Sequence, residues 1–269
     1  DMKAWGFEVE VSWRDRIKDF NYGVKFVLSD DQRKVTRYPN EELNRNQWYA
    51  GRMDGLVWGY ETVGIAKTDA EMEAHLASLP NGGQSQLGSK WAAGDIMYKD
   101  LNGDGKISSG DGTLNDLGDL KVVANTQLRF KYGLTLDASW KGFDFSAFFQ
   151  GVGKRDVVVG GPYFWGANGQ GMWQAAAFKD HMDYFRPEDT ESVFGPNVDA
   201  YYPRVIFGGG SSEGGKNTLT QSRYVQNGAY IRLKNLQLGY TLPSTITKKF
   251  AVNSLRVYVS GDNLWTGTK

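Results

Sequence analysis

Leu128–Gly153 reads LRFKYGLTLDASWKGFDFSAFFQGVG, and its pattern decides the fold class. Leu128, Phe130, Tyr132, Leu134, Leu136, Ala138 and Trp140 fall on one face of an extended chain. Arg129, Lys131, Gly133, Thr135, Asp137, Ser139 and Lys141 fall on the other, the period-2 signature of a strand with one apolar wall. Lys141-Gly142 then predicts a two-residue hairpin turn, after which Phe143, Phe145, Ala147 and Phe149 continue in phase. The turn fixes the pairing: Trp140 with Phe143, Ala138 with Phe145, Leu136 with Ala147, Leu134 with Phe149. Each pair sets apolar against apolar, so a one-residue slip would expose the wrong face everywhere. The arm exceeds the ~9–11 tilted residues that cross a bilayer. Aromatics at the turn end and aliphatics in the middle complete the pattern of a transmembrane barrel hairpin.

The same alternation recurs outward from this hairpin. Trp5, Phe7, Val9, Val11 and Trp13 alternate with Gly6, Glu8, Glu10, Ser12 and Arg14. A polar turn is expected at Asp15–Lys18, and Phe20, Tyr22, Val24, Phe26 and Leu28 return in phase. Near the other end, Ala229–Leu242 alternates with a phase change at Asn235, which predicts a bulge. Pro243–Phe250 reads as a helical turn, and Ser254–Leu264 as the last strand. Between these segments the periodicity is lost, from Ser29 to about Thr126 and across Asp156–Ser222. Within the first stretch Asp69–Ser78 reads as a helix with Thr68 at its N-cap. Connectors therefore alternate short, long, short, long, short. Barrels of the outer membrane put short turns on one rim and long loops on the other. A soluble sandwich seldom does this, since most connections run ~4–6 residues.

Composition narrows the classes. The 269 residues carry 31 Lys+Arg and 31 Asp+Glu, so there is no basic footprint for a nucleic-acid partner. Aromatics at 14% and 34 glycines suit a β-rich chain with many turns. No cysteine is present, which excludes disulfides and thiol chemistry. No apolar run is long enough for a membrane helix, and half-apolar barrel strands leave the same low hydropathy. The chain is expected to be an internal piece of a longer protein.

WGFEVEVSWRDRIKDFNYGVKFVLS, AGDIMYKDLNGDGKIS, FKYGLTLDASWKGFDFSAFFQGVGKRD and NGAYIRLKNLQLGYTLP followed by SLRVYVSGDNLW resemble the C-terminal β-barrel portion of SusC/RagA-type TonB-dependent outer-membrane transporters. One departure is VANTQLRF, where that family usually carries a Gly-Asn-Pro-x-Pro-Lys run. The resemblance implies an all-β fold: residues 1–269 as part of an antiparallel transmembrane barrel with long extracellular loops, without the plug domain and last strands. It implies uptake of oligosaccharide or peptide and no enzymatic activity. It also implies a SusD-like surface lipoprotein as lid, TonB acting through segments outside this chain, and outer-membrane lipid around the strands. The alternative class is a soluble secreted β-rich carbohydrate-binding domain with a calcium-stapled loop.

The strings that could carry chemistry are few. Asp100-Leu-Asn102-Gly-Asp104-Gly105-Lys106-Ile107-Ser-Ser-Gly-Asp111 has EF-hand-like spacing. Asp100, Asn102, Asp104, the Lys106 carbonyl and Asp111 are the expected ligands of a structural Ca²⁺, a hard cation that takes 6–8 oxygens. Position 12 is Asp rather than Glu, and flanking helices are missing; a metal-free Asx-turn loop is the plain alternative. Gly210–Asn217 nearly spells a phosphate-binding loop but lacks the Ser/Thr after Lys216 and a following helix, so it reads as a flexible loop. His75 and His181 are the only histidines, too few for a zinc site alone, and His75 is expected on a helix surface. No GxSxG elbow supports a Ser-His-Asp triad, and the acids of RPEDTES read as a solvated loop rather than a glycosidase pair. Tyr163, Phe164, Trp165, Trp173, Tyr201 and Tyr202, in the second long connector, are the candidate substrate or partner contacts. Their plain alternative is packing of the connector on itself.

Overall fold

The computed structural model describes residues 1–168, 177–206 and 212–268. In chain order the strands among them are β1 (Met2–Ile17), β2 (Phe20–Val35), β3 (Leu56–Tyr60), β4 (Thr62–Ile65), β5 (Ile96–Tyr98), β6 (Leu120–Asn125), β7 (Arg129–Trp140), β8 (Phe143–Lys154), β9 (Asp156–Val158), β10 (Val225–Asn227), β11 (Tyr230–Thr241) and β12 (Arg256–Thr268). They fall into two compact units.

One unit, residues 2–34, 127–156 and 227–269, is a six-stranded sheet in the order β1-β2-β7-β8-β11-β12. Neighbours in the sheet are neighbours among these strands in the chain, which makes a meander. The turn at Lys141-Gly142 has both residues at positive φ, 47° and 89°, the geometry that matches strand twist in a two-residue hairpin. The expected register holds pair for pair, from Trp140↔Phe143 to Leu134↔Phe149. The expected bulge sits between Leu233 and Asn235 against both neighbouring strands.

The pairing aligns the apolar faces into rows across five strands. One row is Phe20, Trp140, Phe143, Tyr240 and Val257; the next is Tyr22, Ala138, Phe145, Leu238 and Val259. Then come Val24, Leu136, Ala147 and Leu236, followed by Phe26, Leu134, Phe149, Leu233 and Trp265. Aromatics thus border an aliphatic middle. Six residues separate the bordering rows, roughly 20 Å along a strand at ~3.4 Å each. Much of this face is exposed: Trp13, Phe20, Trp140, Phe143, Leu238, Val257 and Val259 among others. A band of this height with aromatic borders suits a lipid environment.

The opposite face is polar and cross-linked between strands. Glu10 pairs with Lys25 at 2.9 Å and Asp144 with Arg256. Asp144 has Gly239 as its β11 neighbour, and a Cβ there would lie 2.6 Å from both the Arg256 guanidinium and the Asp144 carboxylate. Glycine at 239 therefore lets the arginine cross a whole strand to reach its partner.

Three expectations are corrected here. The first turn is Lys18-Asp19 rather than Asp15–Lys18, because a tight turn needs positive φ, and Lys18 takes it at 55°. β2 extends to Val35 although its alternation stops at Ser29, since backbone pairing continues without an apolar pattern. The last strand runs Arg256–Thr268 rather than Ser254–Leu264.

The other unit comprises Asp1, Val35–Thr126 and Val157–Gln226, so the two long connectors fold together. They share one core: Tyr60, Ile65, Leu79, Ile96, Tyr98 and Ile107 from the first, Trp165, Phe185, Ala200 and Tyr224 from the second. β3 pairs with β6 and β4 with β5. Helix α1 (Asp69–Ala77) starts as expected, with the Thr68 hydroxyl accepting from the Glu71 amide at 3.1 Å. The turns Pro243–Phe250 of the sheet unit are helical, as expected.

Candidate functional site

Five of the six aromatic candidates gather in the connector unit. The helical turn Pro162–Trp165 supplies Tyr163, Phe164 and Trp165, and the segment after Ala200 supplies Tyr201 and Tyr202. Trp173 lies outside the described residues. Phe164 is the hub, 4.8 Å from Trp165, 5.4 Å from Tyr202 and 5.6 Å from Tyr224, centroid to centroid. Edge-on geometry dominates, as ring quadrupoles prefer.

Burial divides the set. Trp165 is only 6% exposed and sits 4.8 Å from Tyr224, so it packs the core. Tyr163 is 84% exposed and Tyr201 and Tyr202 are half-buried. These three, with Phe164, Phe178, Lys179, Asp180, His181, Asp183 and Gln226, line an open depression of about 750 Å³. Burial of the Tyr202 hydroxyl pushes its pKa up, aided by the neighbouring Tyr201, Asp180 and Asp183.

His181 holds the pocket wall together. The Phe178 amide donates to Nδ1 at 3.0 Å, so Nδ1 is the unprotonated nitrogen. Nε2 then carries the proton and donates to the Tyr163 carbonyl at 3.1 Å. The ring lies 5.4 Å from Phe178 and 5.5 Å from Tyr202. This histidine orients aromatic rings; among the described residues its two ring nitrogens bond the Phe178 amide and the Tyr163 carbonyl and no nucleophile. The floor of the site is thus aromatic, and its rim mixes two carboxylates with one ammonium.

The calcium candidates share one loop, held by its own backbone. Asp100 accepts from the Gly103 amide at 2.6 Å and the Gly105 amide at 2.9 Å. Asn102 accepts from Asp104 N–H at 3.0 Å, and Asp104 from Lys106 N–H at 3.1 Å. Asp111 stands apart: it accepts from the Thr113 amide at 2.8 Å, and its bond to the Thr113 hydroxyl holds its carboxyl below the usual range. Among the described residues no three acidic or His side chains are grouped to hold a metal. Asp119 closes the loop instead. Fully buried, it accepts from Leu101 N–H and Ser108 N–H, both at 2.7 Å. Burial raises its pKa, and the Asp100 carboxylate adds to the rise.

A second feature had no sequence signal. Lys216, within the phosphate-loop look-alike, is fully buried, with its ammonium 3.0 Å from Asp95 and 4.6 Å from the Trp91 ring centre. Arg204 grips the same Asp95 with two bonds of 2.7 and 2.8 Å, and Asn217 adds a third at 2.8 Å. A lysine so engaged binds no phosphate, and the Lys216–Asn217 end of that string is packed rather than flexible. His75 is also corrected: it is half-buried, 3.3 Å from Gln84 Oε1, because α1 lies over the buried Gln84 side chain.

No family model matches the chain. TonB-dependent receptor P3 of Formosa agariphila is 28% identical over 282 residues, covering 100% of this chain and 24% of the relative. TonB-dependent receptor P26 of the same organism is 27% identical over 278 residues, covering 98% and 24%. The chain thus spans 24% of the length of these relatives. Among solved structures it superposes on the RagAB peptide transporter with a TM-score of 0.66 at 20% identity, covering 100% of this chain and 26% of that one. The RagAB peptide importer in its open-open state gives 0.63 at 20% identity, covering 100% and 25%. At that identity the superposition establishes the fold, an all-β barrel segment. These relatives are receptors and transporters, not enzymes. In sequence the chain is similar to these TonB-dependent receptors and in fold to a barrel segment of the RagAB transporter, spanning about a quarter of the length of each.

Proposed function

We propose that the chain is part of the C-terminal barrel of an outer-membrane importer that takes up oligosaccharide or peptide. The observation that carries this reading is the exposed apolar band with aromatic borders, backed by a polar, cross-linked wall. A soluble carbohydrate-binding domain would bury such a face. The connector unit is the extracellular part, since both long connectors leave the same end of the meander. Its aromatic depression meets substrate or lid through Tyr163, Tyr201 and Tyr202, with Phe164 and Trp165 as support. A SusD-like surface lipoprotein caps this side, and TonB supplies the drive from the periplasm.

Calcium belongs to the same proposal as a structural ion. Asp100, Asn102, Asp104 and the Lys106 carbonyl offer donors within one turn of chain, and Asp111 would leave Thr113 to join them.

Deletion of the full-length gene tests the reading. Loss of growth on one class of glycan or peptide, restored by the wild-type gene and not by Y163A/Y201A/Y202A, supports it. Unchanged uptake in the deletion strain, or full-length protein that stays monodisperse without detergent, overturns it.

A further inference from the structure

A histidine nitrogen that carries a proton cannot accept a hydrogen bond. In the aromatic depression that rule ties one wall to acidity. His181 lies in the helical turn Lys179–Met182 and is partly exposed, so protons from solvent reach it. Its Nδ1 accepts from the Phe178 amide, and a backbone amide can only donate, so the wall needs the neutral ring. Through Nε2 the same ring holds the Tyr163 carbonyl, 18 residues away in the chain. Gly166, at φ 59°, makes room for the ring: a Cβ there would lie 2.6 Å from Nδ1. The rings of Tyr163 and Phe178 are 6.1 Å apart, and one imidazole sets the backbone of both.

The protonated ring has other partners at hand. Asp180 precedes it in the turn and Asp183 follows two residues on, and both line the depression with it. Both carboxylates are exposed, and neither forms an ion pair among the described residues. Asn197 donates to Asp183 Oδ1 at 2.8 Å, which leaves the second oxygen to a new donor. Lys179 is the one cation lining the depression. The nearby Arg186 guanidinium is committed to the Met182 and Gly195 carbonyls at 2.8 and 2.6 Å. The elements packed against the ring from outside its turn bring the phenols of Tyr163, Tyr201 and Tyr202 and the Gln226 amide, all uncharged near neutral pH.

We propose that His181 is an acid-sensitive latch of the aromatic depression. On protonation at Nδ1 the ring lets go of the Phe178 amide, turns to Asp180 or Asp183, and the Tyr163–Phe178 side of the depression opens. Imidazoles change charge between about pH 5 and 8, so the latch works across the range a cell surface meets. The ring takes one proton from solvent and returns it on neutralisation, which makes the change reversible. A surface assembled at neutral pH thus loses its shape, and its hold on a bound molecule, when the medium acidifies. That consequence rests on the reading of the depression as a contact surface for substrate or lid.

The test follows the Phe178 amide by hydrogen exchange and mass spectrometry in detergent-solubilised full-length protein, with rates corrected for the intrinsic effect of pH. Protection of the peptide that contains it should fall about tenfold or more between about pH 7.5 and about pH 5.5. H181N should keep protection at both, because its side-chain oxygen accepts from the amide and does not titrate. D180N/D183N should move the loss to lower pH, since the imidazolium then lacks its anions. H75Q, which removes the other histidine of the chain, should leave the loss in place. Equal wild-type protection at both pH values overturns the inference, as does a loss that persists in folded H181N or vanishes in H75Q. If H181N does not fold, the carboxylate variant decides: an unmoved loss overturns the latch and a shifted one supports it. None of these readouts uses a ligand, so failure here leaves the importer reading standing on its own deletion test.

Discussion

Lys216 shows how much one residue can be constrained from a distance. Its ammonium has no exposed surface and donates to the Ser89 and Lys90 carbonyls at 2.7 and 3.1 Å while facing Asp95. Removing one partner of a buried ion pair strands the other, at roughly 3–5 kcal/mol. Lys216→Met in the full-length protein should therefore cost several kcal/mol by thermal unfolding. Adding Asp95→Asn should cost less than the sum of the two, because the variants share one network. His75 predicts a pH response. Burial holds its folded pKa below the ordinary 6.5, so the folded state takes up its proton less readily than the unfolded. The stability it contributes is present above about pH 6.5 and is lost as pH falls through the folded value. Protease susceptibility of the connector unit should rise on acidification below that point, and His75→Gln should flatten the response.

At the scale of elements, side chains that alternate have one test. Leu134 and Gln237 lie on opposite faces of the same sheet. Leu134→Arg should destabilise the barrel by ~2–4 kcal/mol in denaturant titrations from lipid, while Gln237→Arg should change it little. Equal effects would reverse the assigned faces. These hairpins were legible because strand period, turn chemistry and register are all local: Lys141-Gly142 alone sets eight named partners. The Leu233/Asn235 bulge was legible as a break in phase. The ends of β1, β2 and β12 were not, because backbone ladders continue where the apolar alternation falters. The candidate site was half legible. Clustered aromatics marked the right segments, but which of them is core and which is exposed depends on Tyr224 and Phe178, which no spacing connects to them.

Over the whole molecule, the largest departure from the sequence reading is that the irregular connectors build a core of their own. Asp119 and the calcium candidates divide the work of holding one part of it. Asp119→Ala leaves Leu101 and Ser108 amides without their buried partner, about 1–3 kcal/mol each. Chelating calcium from full-length protein should lower its melting temperature by less than Asp119→Ala does, and D104N should abolish the difference between calcium and chelator. Identical melting curves with and without calcium would remove the ion from the proposal.

The shared core also dictates an order of events during biogenesis. The Tyr98 hydroxyl bonds the Lys216 carbonyl across 118 residues, and Arg204 reaches Asp95 across 109. Contacts of such separation form slowly, since the intervening chain must first be brought to closure. β7 and β8, by contrast, can zip from a two-residue turn within microseconds. During synthesis, the apolar side chains of Ile96, Tyr98 and Ile107 therefore wait uncovered until the chain through Tyr224 has followed them. A holdase chaperone should engage the 96–107 segment of a nascent chain truncated before Trp165, and release it once the second connector is present.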